Sequence, residues 1–373
     1  MKKVILIGPV PPPMHGVTLA IKSILNSNIN KHFNLIHLDT SDHRDATNIG
    51  KIDFINLGLA FKNLLTLISY CLKYRPDLIY IHISQTWIGY ARDGLFILIG
   101  KWLSSSKVLI HLDGGYFGQF YSNTSLLVKR FINFTMCRSD RVIVVGECFR
   151  SIFSRWFPSG AIDVVPNGTD FGLPEINKKF KQNKSKNIVI TFISGLARSK
   201  GILDFISAAK FVLKDVPETE FIIAGEWWEK DTQTEAMHII AEDNMKKQLN
   251  IIGLVTGSEK VRLFEKTDIF TLPTYYPFEG HPNVIIEAMA AGCPIISTYH
   301  AAIPETVIDE ETGFLIPPKK PDKLAEKMLK LILDPELRIR MAKNSYKRYK
   351  EYYTAERKIE LLTESFRRAI NEE

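Results

Sequence analysis

Two glutamates, Glu279 and Glu287, stand eight positions apart in "EGHPNVIIE". Carboxylates at close spacing suit a general acid and base, but Pro282 between them points elsewhere. Proline is at home in the first turn of a helix, where its missing N–H costs nothing. The helix then runs through "NVIIEAMAAG" and stops near Gly292 and Pro294. Glu279 thus falls in a loop and Glu287 in the second helical turn, on no common face. A helix start carries roughly half a positive charge. One anionic ligand spanning all three features is the natural reading. Its phosphates meet the helix start, the two carboxylates bond hydroxyls at either end, and Gly280, His281, Asn283 and Val284 line the turn as binding positions.

Other chemistry-bearing residues also follow apolar runs. In "SGLARSKG", Arg198 and Lys200 are two cations at a strand-to-helix turn, which suits a diphosphate; each charge-assisted bond is worth roughly 1.5–3 kcal/mol. In "HLDGGYF", His111 ends a strand beside glycines. In "GPVPPPMHGVTLA", Gly16 precedes a helix and lets backbone N–H groups approach an anion. That loop is not a G-x-G-x-x-G fingerprint, which counts against a nicotinamide enzyme. No Asp-x-Asp metal motif is present, and no metal or other cofactor is expected.

The elements that must position these groups are β-rich runs alternating with helical patterns. The first half predicts strands at Lys3–Ile7, Leu35–Leu38, Leu78–His82, Val108–His111 and Arg141–Val145. The second predicts Ile188–Ile193, Glu220–Ala224, Ile251–Ile252, Ile269–Leu272 and Pro294–Ser297. Such alternation implies parallel sheets of βαβ units, and two series imply two doubly wound α/β domains facing a central cleft. Ligands of such folds sit at the carboxyl ends of strands. The expected organisation is a first doubly wound domain over 1–170, a linker over 171–187, a second doubly wound domain over 188–350, and a terminal helix over 351–373 packing back on the first domain. A length of 373 residues suits two cores of about 150–190 residues.

Composition is that of a soluble globular protein, 45% apolar and 24% charged. The opening run Val4 to Ile7 reads as a buried strand rather than a signal peptide. Residues 54 to 72 read as a buried helix, since a membrane span wants roughly 20 nearly uninterrupted apolar residues. The four cysteines show no metal spacing and read as reduced core residues of a cytosolic protein. The net charge of +7 lies wholly in residues 1–170, with 18 Lys+Arg against 11 Asp+Glu. There "GKWL", "KRFINF" and "FRSIFSRWF" set basic residues beside aromatics, which suits an anionic lipid surface. No nucleic-acid motif accompanies the charge, so no nucleic-acid partner is expected.

Taken in order, "VVPNGTD", "SGLARSKG", "GLVTGSEK", "TDIFTLPT", "EGHPNVIIEAMAAGCPIIST", "IPE" and "TGFLIPP" resemble a retaining family 4 glycosyltransferase of the GT-B fold, glycosyltransferase group 1, over nearly the whole chain. The resemblance implies two Rossmann-like domains, an N-terminal one over 1–170 that binds the acceptor and a C-terminal one over 188–350 that binds the nucleotide-sugar, and a metal-independent transfer from a nucleotide-sugar, expected to be a UDP-sugar, to an acceptor hydroxyl with retention. It implies that Glu279 holds donor sugar hydroxyls, Glu287 the ribose, Arg198 and Lys200 the diphosphate. Gly16 would let the diphosphate approach, His111 would lie near the reacting carbon, and the segment around Leu254 would contact the base. In three places the chain departs from the family pattern. Leu196 rather than Arg follows Gly195, His15 precedes a single Gly16, and Asp113 stands where some relatives carry a second His. The expected acceptor is a lipid-linked oligosaccharide of bacterial surface polysaccharide synthesis, used by a cytoplasmic protein peripheral at the inner membrane face. The rival readings are a sugar-nucleotide epimerase on the same fold, needing no acceptor, and a non-catalytic nucleotide-sugar or lipid-binding protein.

Overall fold

The computed structural model describes residues 1–12, 16–42, 54–173, 176, 187–243 and 245–371, with side chains from 58 onward in the helix that starts at Phe54. Two compact units divide the chain, Met1–Pro166 with Lys358–Glu373, and Asn167–Arg357. The stretch 167–170 belongs to the second unit because it is bonded there: Thr169 N–H donates to the Tyr353 carbonyl at 3.0 Å, and Ala355 N–H to the Thr169 carbonyl at 2.9 Å. Of the linker expected at 171–187, only 171–173, 176 and 187 fall within the described residues.

The first unit is a parallel six-stranded sheet. Its strands are β1 (Lys2–Gly8), β2 (Phe33–Asp39), β3 (Leu78–His82), β4 (Lys107–Leu112), β5 (Arg141–Val144) and β6 (Ile162–Val164), in the order β2-β1-β3-β4-β5-β6. Runs such as "VILI" and "LIYIH" are fully buried, as strands covered on both faces must be. Val4, Leu6, Leu78, Tyr80 and Leu109 share one face. They pack with Ile21 and Ile24 of α1 (Gly16–Leu25) and with Ile359, Leu362 and Phe366 near the C-terminus. The Phe366 ring lies 5.5 Å from Phe33 and 5.1 Å from Tyr80. Three further helices are α2 (Phe54–Tyr74), α3 (Trp87–Leu103) and α4 (Leu126–Met136).

The second unit orders β7 (Val189–Ile193), β8 (Glu220–Ala224), β9 (Leu249–Ile251), β10 (Ile269–Leu272), β11 (Ile295–Thr298) and β12 (Gly313–Ile316) as β12-β11-β10-β7-β8-β9. Counted within the unit this is the doubly wound order 3-2-1-4-5-6, and it reverses between β7 and β10. Its helices include α5 (Ile202–Asp215), α6 (Lys230–Glu242), α7 (Gly257–Lys266), α8 (Asn283–Ala290), α9 (Pro321–Leu333) and α10 (Pro335–Tyr352), and α11 (Ala355–Ala369) ends the chain.

Several expectations change. β6 and β12 are strands that the alternation did not predict; both are short edge strands, with a neighbour on one side only. The helix expected to be buried, α2, is only half so: Leu67 and Cys71 are core, while Phe61, Leu65 and Leu72 face outward. Cys137 and Cys148 are exposed, and only Cys71 and Cys293 lie in the core. In "FRSIFSRWF", Phe149, Phe153 and Phe157 pack inside, and Trp156 alone of its aromatics is partly exposed. Among the described residues no helix is long and apolar enough to cross a membrane.

Candidate active site

In the second unit Lys200 and Glu279 follow the two strands that flank the reversal point. After β7 the chain makes a 3-10 turn over Arg198–Lys200, and Gly201, at φ +82°, swings it into α5. Only glycine fits there, since a Cβ would lie 2.2 Å from the Pro273 carbonyl oxygen. The turn is thereby pressed against the loop after β10, and the two side chains meet. Lys200 Nζ donates to Glu279 Oε2 at 2.8 Å, with both side chains nine-tenths buried. Thr274 Oγ1 donates to the same oxygen at 3.0 Å, and the Tyr276 ring centroid lies 4.2 Å from the ammonium. A buried pair of this kind is strongly destabilised if one partner is removed, by about 3–5 kcal/mol. An ammonium has three donors, and among the described residues Glu279 takes one of them. The cation can therefore exchange or share this carboxylate with an incoming anion.

Pro282 caps α8 rather than occupying its first turn, and the helix starts at Asn283. The N–H groups of the first turn lie at the carboxyl edge of the sheet. Glu287 sits one turn on, with Lys260 Nζ at 2.5 Å from its Oε2. Burial raises its pKa and Lys260 opposes the rise. Lys260 was overlooked in the sequence, though it closes the quoted segment "GLVTGSEK". Leu254, in the loop after β9, is 59% exposed, and Gly253 before it has φ +75°.

Two expected site residues point elsewhere. Arg198 is ion-paired with Glu235 of α6, half exposed, and its N–H donates to Glu229 at 3.0 Å. Those acidic neighbours raise its pKa, the Glu235 bond foremost. Its guanidinium thus serves α6 and not the Glu279 side of the turn. His281 is a scaffold residue. Asn167 N–H donates to its Nδ1 at 2.9 Å, so Nε2 carries the proton and donates to Thr306 Oγ1 at 2.7 Å. Asn167 Nδ2 also donates to the His281 carbonyl at 2.9 Å. Both ring nitrogens are engaged, and the imidazole ties 167 to the loop before α8. Gly280 is buried and its carbonyl accepts from Ala302 N–H, while Asn283 and Val284 are half-buried at the helix start.

In the first unit Gly16 opens α1 with nothing within 4 Å of where a Cβ would stand. His111 on β4 lies level with His82 on β3 in the sheet register, and their rings stack at 4.6 Å. His111 Nδ1 bonds the Tyr80 hydroxyl, His82 Nδ1 bonds Asp113, and Asp113 Oδ1 lies 3.8 Å from His111 Nε2. Burial pushes the His111 pKa down to about 3, against the pull of Asp113. For Asp113 burial acts upward, but His82, His111 and Lys358 outweigh it and hold the carboxyl below the usual range. Burial lowers the Lys358 pKa, with Asp113 opposing. His82, Tyr80 and Lys358 were not singled out in the sequence, although the strand that ends at His82 was legible. The donor atoms of His82, His111 and Asp113 lie within 4.8 Å of one another, a set that could ligate a divalent ion. The positive charge of Lys358 acts on both His111 and Asp113 and opposes a second cation there.

Comparison with known proteins agrees with this arrangement. Residues 174–348 match the model of the glycosyl transferases group 1. A capsular polysaccharide biosynthesis glycosyltransferase, CapM, of Staphylococcus aureus is 25% identical over 231 residues, 59% of this chain and 59% of its own length. An Escherichia coli UDP-Gal:alpha-D-GlcNAc-diphosphoundecaprenol alpha-1,3-galactosyltransferase is 25% identical over 307 residues, 78% of this chain and 75% of its own. The chain thus spans about three fifths to three quarters of these two relatives. The structure of Anabaena HepE in complex with UDP superposes with a TM-score of 0.76 at 19% identity, covering 98% of this chain and 99% of that one. A Rickettsia africae glycosyltransferase gives 0.78 at 17% identity, covering both chains completely. Two parallel sheets in this order are the GT-B fold, and the segment that carries Lys200, Lys260, Glu279 and Glu287 belongs to the glycosyl transferases group 1 family.

Proposed function

We propose that the protein is a retaining, metal-independent glycosyltransferase that moves a sugar from a UDP-sugar to an acceptor hydroxyl. The observation that carries this reading is the buried Lys200–Glu279 pair where the strand order reverses. As the bond to the sugar breaks, positive character grows on the sugar ring and negative charge on the leaving diphosphate. Lys200 and the α8 N–H groups are preformed donors for that charge, and interactions that strengthen as charge develops are the ones that accelerate the reaction. Glu279, in contact with Lys200, grips sugar hydroxyls. Glu287, one turn along α8, accepts from the ribose while Lys260 balances its charge. With the departing phosphate on one face of the sugar, attack assisted by that phosphate delivers the acceptor to the same face.

The acceptor in this reading is a lipid-linked oligosaccharide of bacterial surface polysaccharide synthesis, met at the inner face of the cell membrane. The first unit supports it with exposed Trp87, Trp102, Leu126, Leu127 and Phe134. The Arg138 guanidinium lies 3.4 Å from the Phe134 ring centroid. Apolar side chains among cations suit an anionic lipid surface.

Purified protein is expected to release UDP from a UDP-sugar when given a polyprenyl-diphosphate-linked acceptor in anionic vesicles. Lys200→Ala and Glu279→Ala should each lower turnover by about 100-fold or more. Turnover like that of the wild type in both variants sinks the assignment, and conversion of the donor without acceptor identifies an epimerase instead.

A further inference from the structure

Beside the Lys200–Glu279 pair stands an aromatic wall with no part in the scheme above. The loop after β8 is laced to the loop after β7: Leu196 N–H donates to the Glu226 carbonyl at 2.7 Å, and Trp228 N–H to the Leu196 carbonyl at 3.1 Å. This ladder fixes the Trp228 backbone and sends its indole over Gly195. A Cβ on residue 195 would lie 2.1 Å from two indole carbons, so the ring occupies the space that a side chain there would need. The indole centroid is 5.9 Å from Lys200 Nζ and 5.9 Å from the Tyr276 ring, which it meets nearly edge to face. Tyr276 in turn packs against Phe278 at 5.6 Å. Despite this fixed seat Trp228 is 56% exposed, so a large ring is held rigidly beside the buried pair with much of its surface uncovered.

We propose that Trp228, backed by Tyr276, is the specificity-determining wall of the donor site and packs against the C–H face of the sugar carried by a UDP-sugar. The inference rests on the donor reading above. There Lys200 meets the diphosphate and Glu279 the hydroxyls, so the sugar ring that joins them lies next to Trp228. A sugar ring carries hydroxyls at its rim and C–H bonds on its faces, and those weakly positive hydrogens suit the negative face of an aromatic ring. Sugars that project an axial hydroxyl or a bulky group from that face fit the wall poorly. The wall thereby discriminates among donors sharing one nucleotide. It also gives the glycine at 195 a purpose, since any side chain there pushes the indole away.

The test is calorimetric binding of UDP, UDP-glucose and UDP-galactose to wild type, Trp228→Phe, Trp228→Ala, Gly195→Ala and the Gly195→Ala/Trp228→Ala double variant. Trp228→Ala should weaken the tightest UDP-sugar roughly three- to tenfold while UDP itself stays within about twofold. Trp228→Phe should keep most of the affinity. Gly195→Ala should reproduce the Trp228→Ala loss, and the double variant should be no worse than Trp228→Ala alone, because the glycine acts through the indole. Equal losses for UDP and UDP-sugar, unchanged UDP-sugar affinity in Trp228→Ala, or additive losses in the double variant overturn the inference while leaving the donor reading intact. A wild-type protein that binds neither UDP nor any of these sugars overturns both.

Discussion

In the first unit the carboxylate that follows a central strand, Asp113, is shared by two stacked imidazoles and compensated by a buried ammonium. In the second the equivalent group, Glu279, is held by one ammonium and one hydroxyl. Both stand at the carboxyl ends of parallel strands, and both combine a carboxylate with a lysine. They differ in how many partners close the carboxylate off. Asp113 is bonded to His82 and lies beside His111, which bonds Tyr80, while among the described residues the Nε2 of each ring is buried without a hydrogen-bond partner. Glu279 has a simpler tether on the edge where strand order reverses. A carboxylate approached from several sides is held in place, whereas a single pair can trade one partner for a ligand. Under the proposed reading the first unit's carboxylate is the fixed one, and the second unit's pair is the one that keeps donors for a ligand.

The sharpest way to break that comparison is Asp113→Asn. It removes the carboxylate that bonds His82 and whose charge acts on His111 and Lys358, and should cost about 3 kcal/mol of stability in denaturant unfolding. UDP affinity, which the proposed function places in the second unit, should stay within about threefold. A large loss of UDP binding with stability intact would invert the assignment of the two sites.

Acid gives a smaller effect of known sign. His111 titrates near 3 in the folded state and near 6.5 when exposed. Between those values the unfolded chain binds the extra proton, so stability rises with pH there and is lost as pH falls from about 6.5 toward 3. Asp113, held below its usual range, adds to the same loss at the acid end. The expected drop is on the order of a few kcal/mol. Unfolding followed from pH 7 to 4 should show it in wild type and show less in His111→Phe. A flat profile would mean that the His111 ring is protonated or solvated.

The smallest expected effect is that of Arg198→Ala. Its partner Glu235 is half exposed, and exposed pairs contribute roughly 0–1 kcal/mol. Turnover and UDP-sugar KM should each change by less than about threefold. A loss comparable with that of Lys200→Ala would return Arg198 to the diphosphate and blur the line between the pair and its surroundings.

Much of this was legible in the chain itself. Leu78–His82, Glu220–Ala224 and Ile269–Leu272 could be bounded to the residue, because strands covered on both faces must be continuously apolar and polar residues end them. β6 escaped notice because its three residues include Asp163, and β12, though apolar and buried throughout, because four residues are too few to show a period. The helix between Glu279 and Glu287 was readable from Pro282 and Gly292, since backbone restrictions at helix ends are local. Partner choice was not readable. Nothing near Arg198 in sequence sets it toward Glu235, nothing near Glu287 names Lys260, and His281 looks like a ligand until Asn167 and Thr306 occupy both of its nitrogens.

The sequence by itself therefore determined which elements form and which strand ends carry charge, through rules that act within a few residues. Only the tertiary structure decided which charges meet. Lys200 and Glu279 are 79 positions apart and become a buried pair because β10 docks beside β7. Strand order is a property of the whole sheet, and a charge-assisted hydrogen bond needs its atoms within about 3 Å, so this order decides which groups become a site.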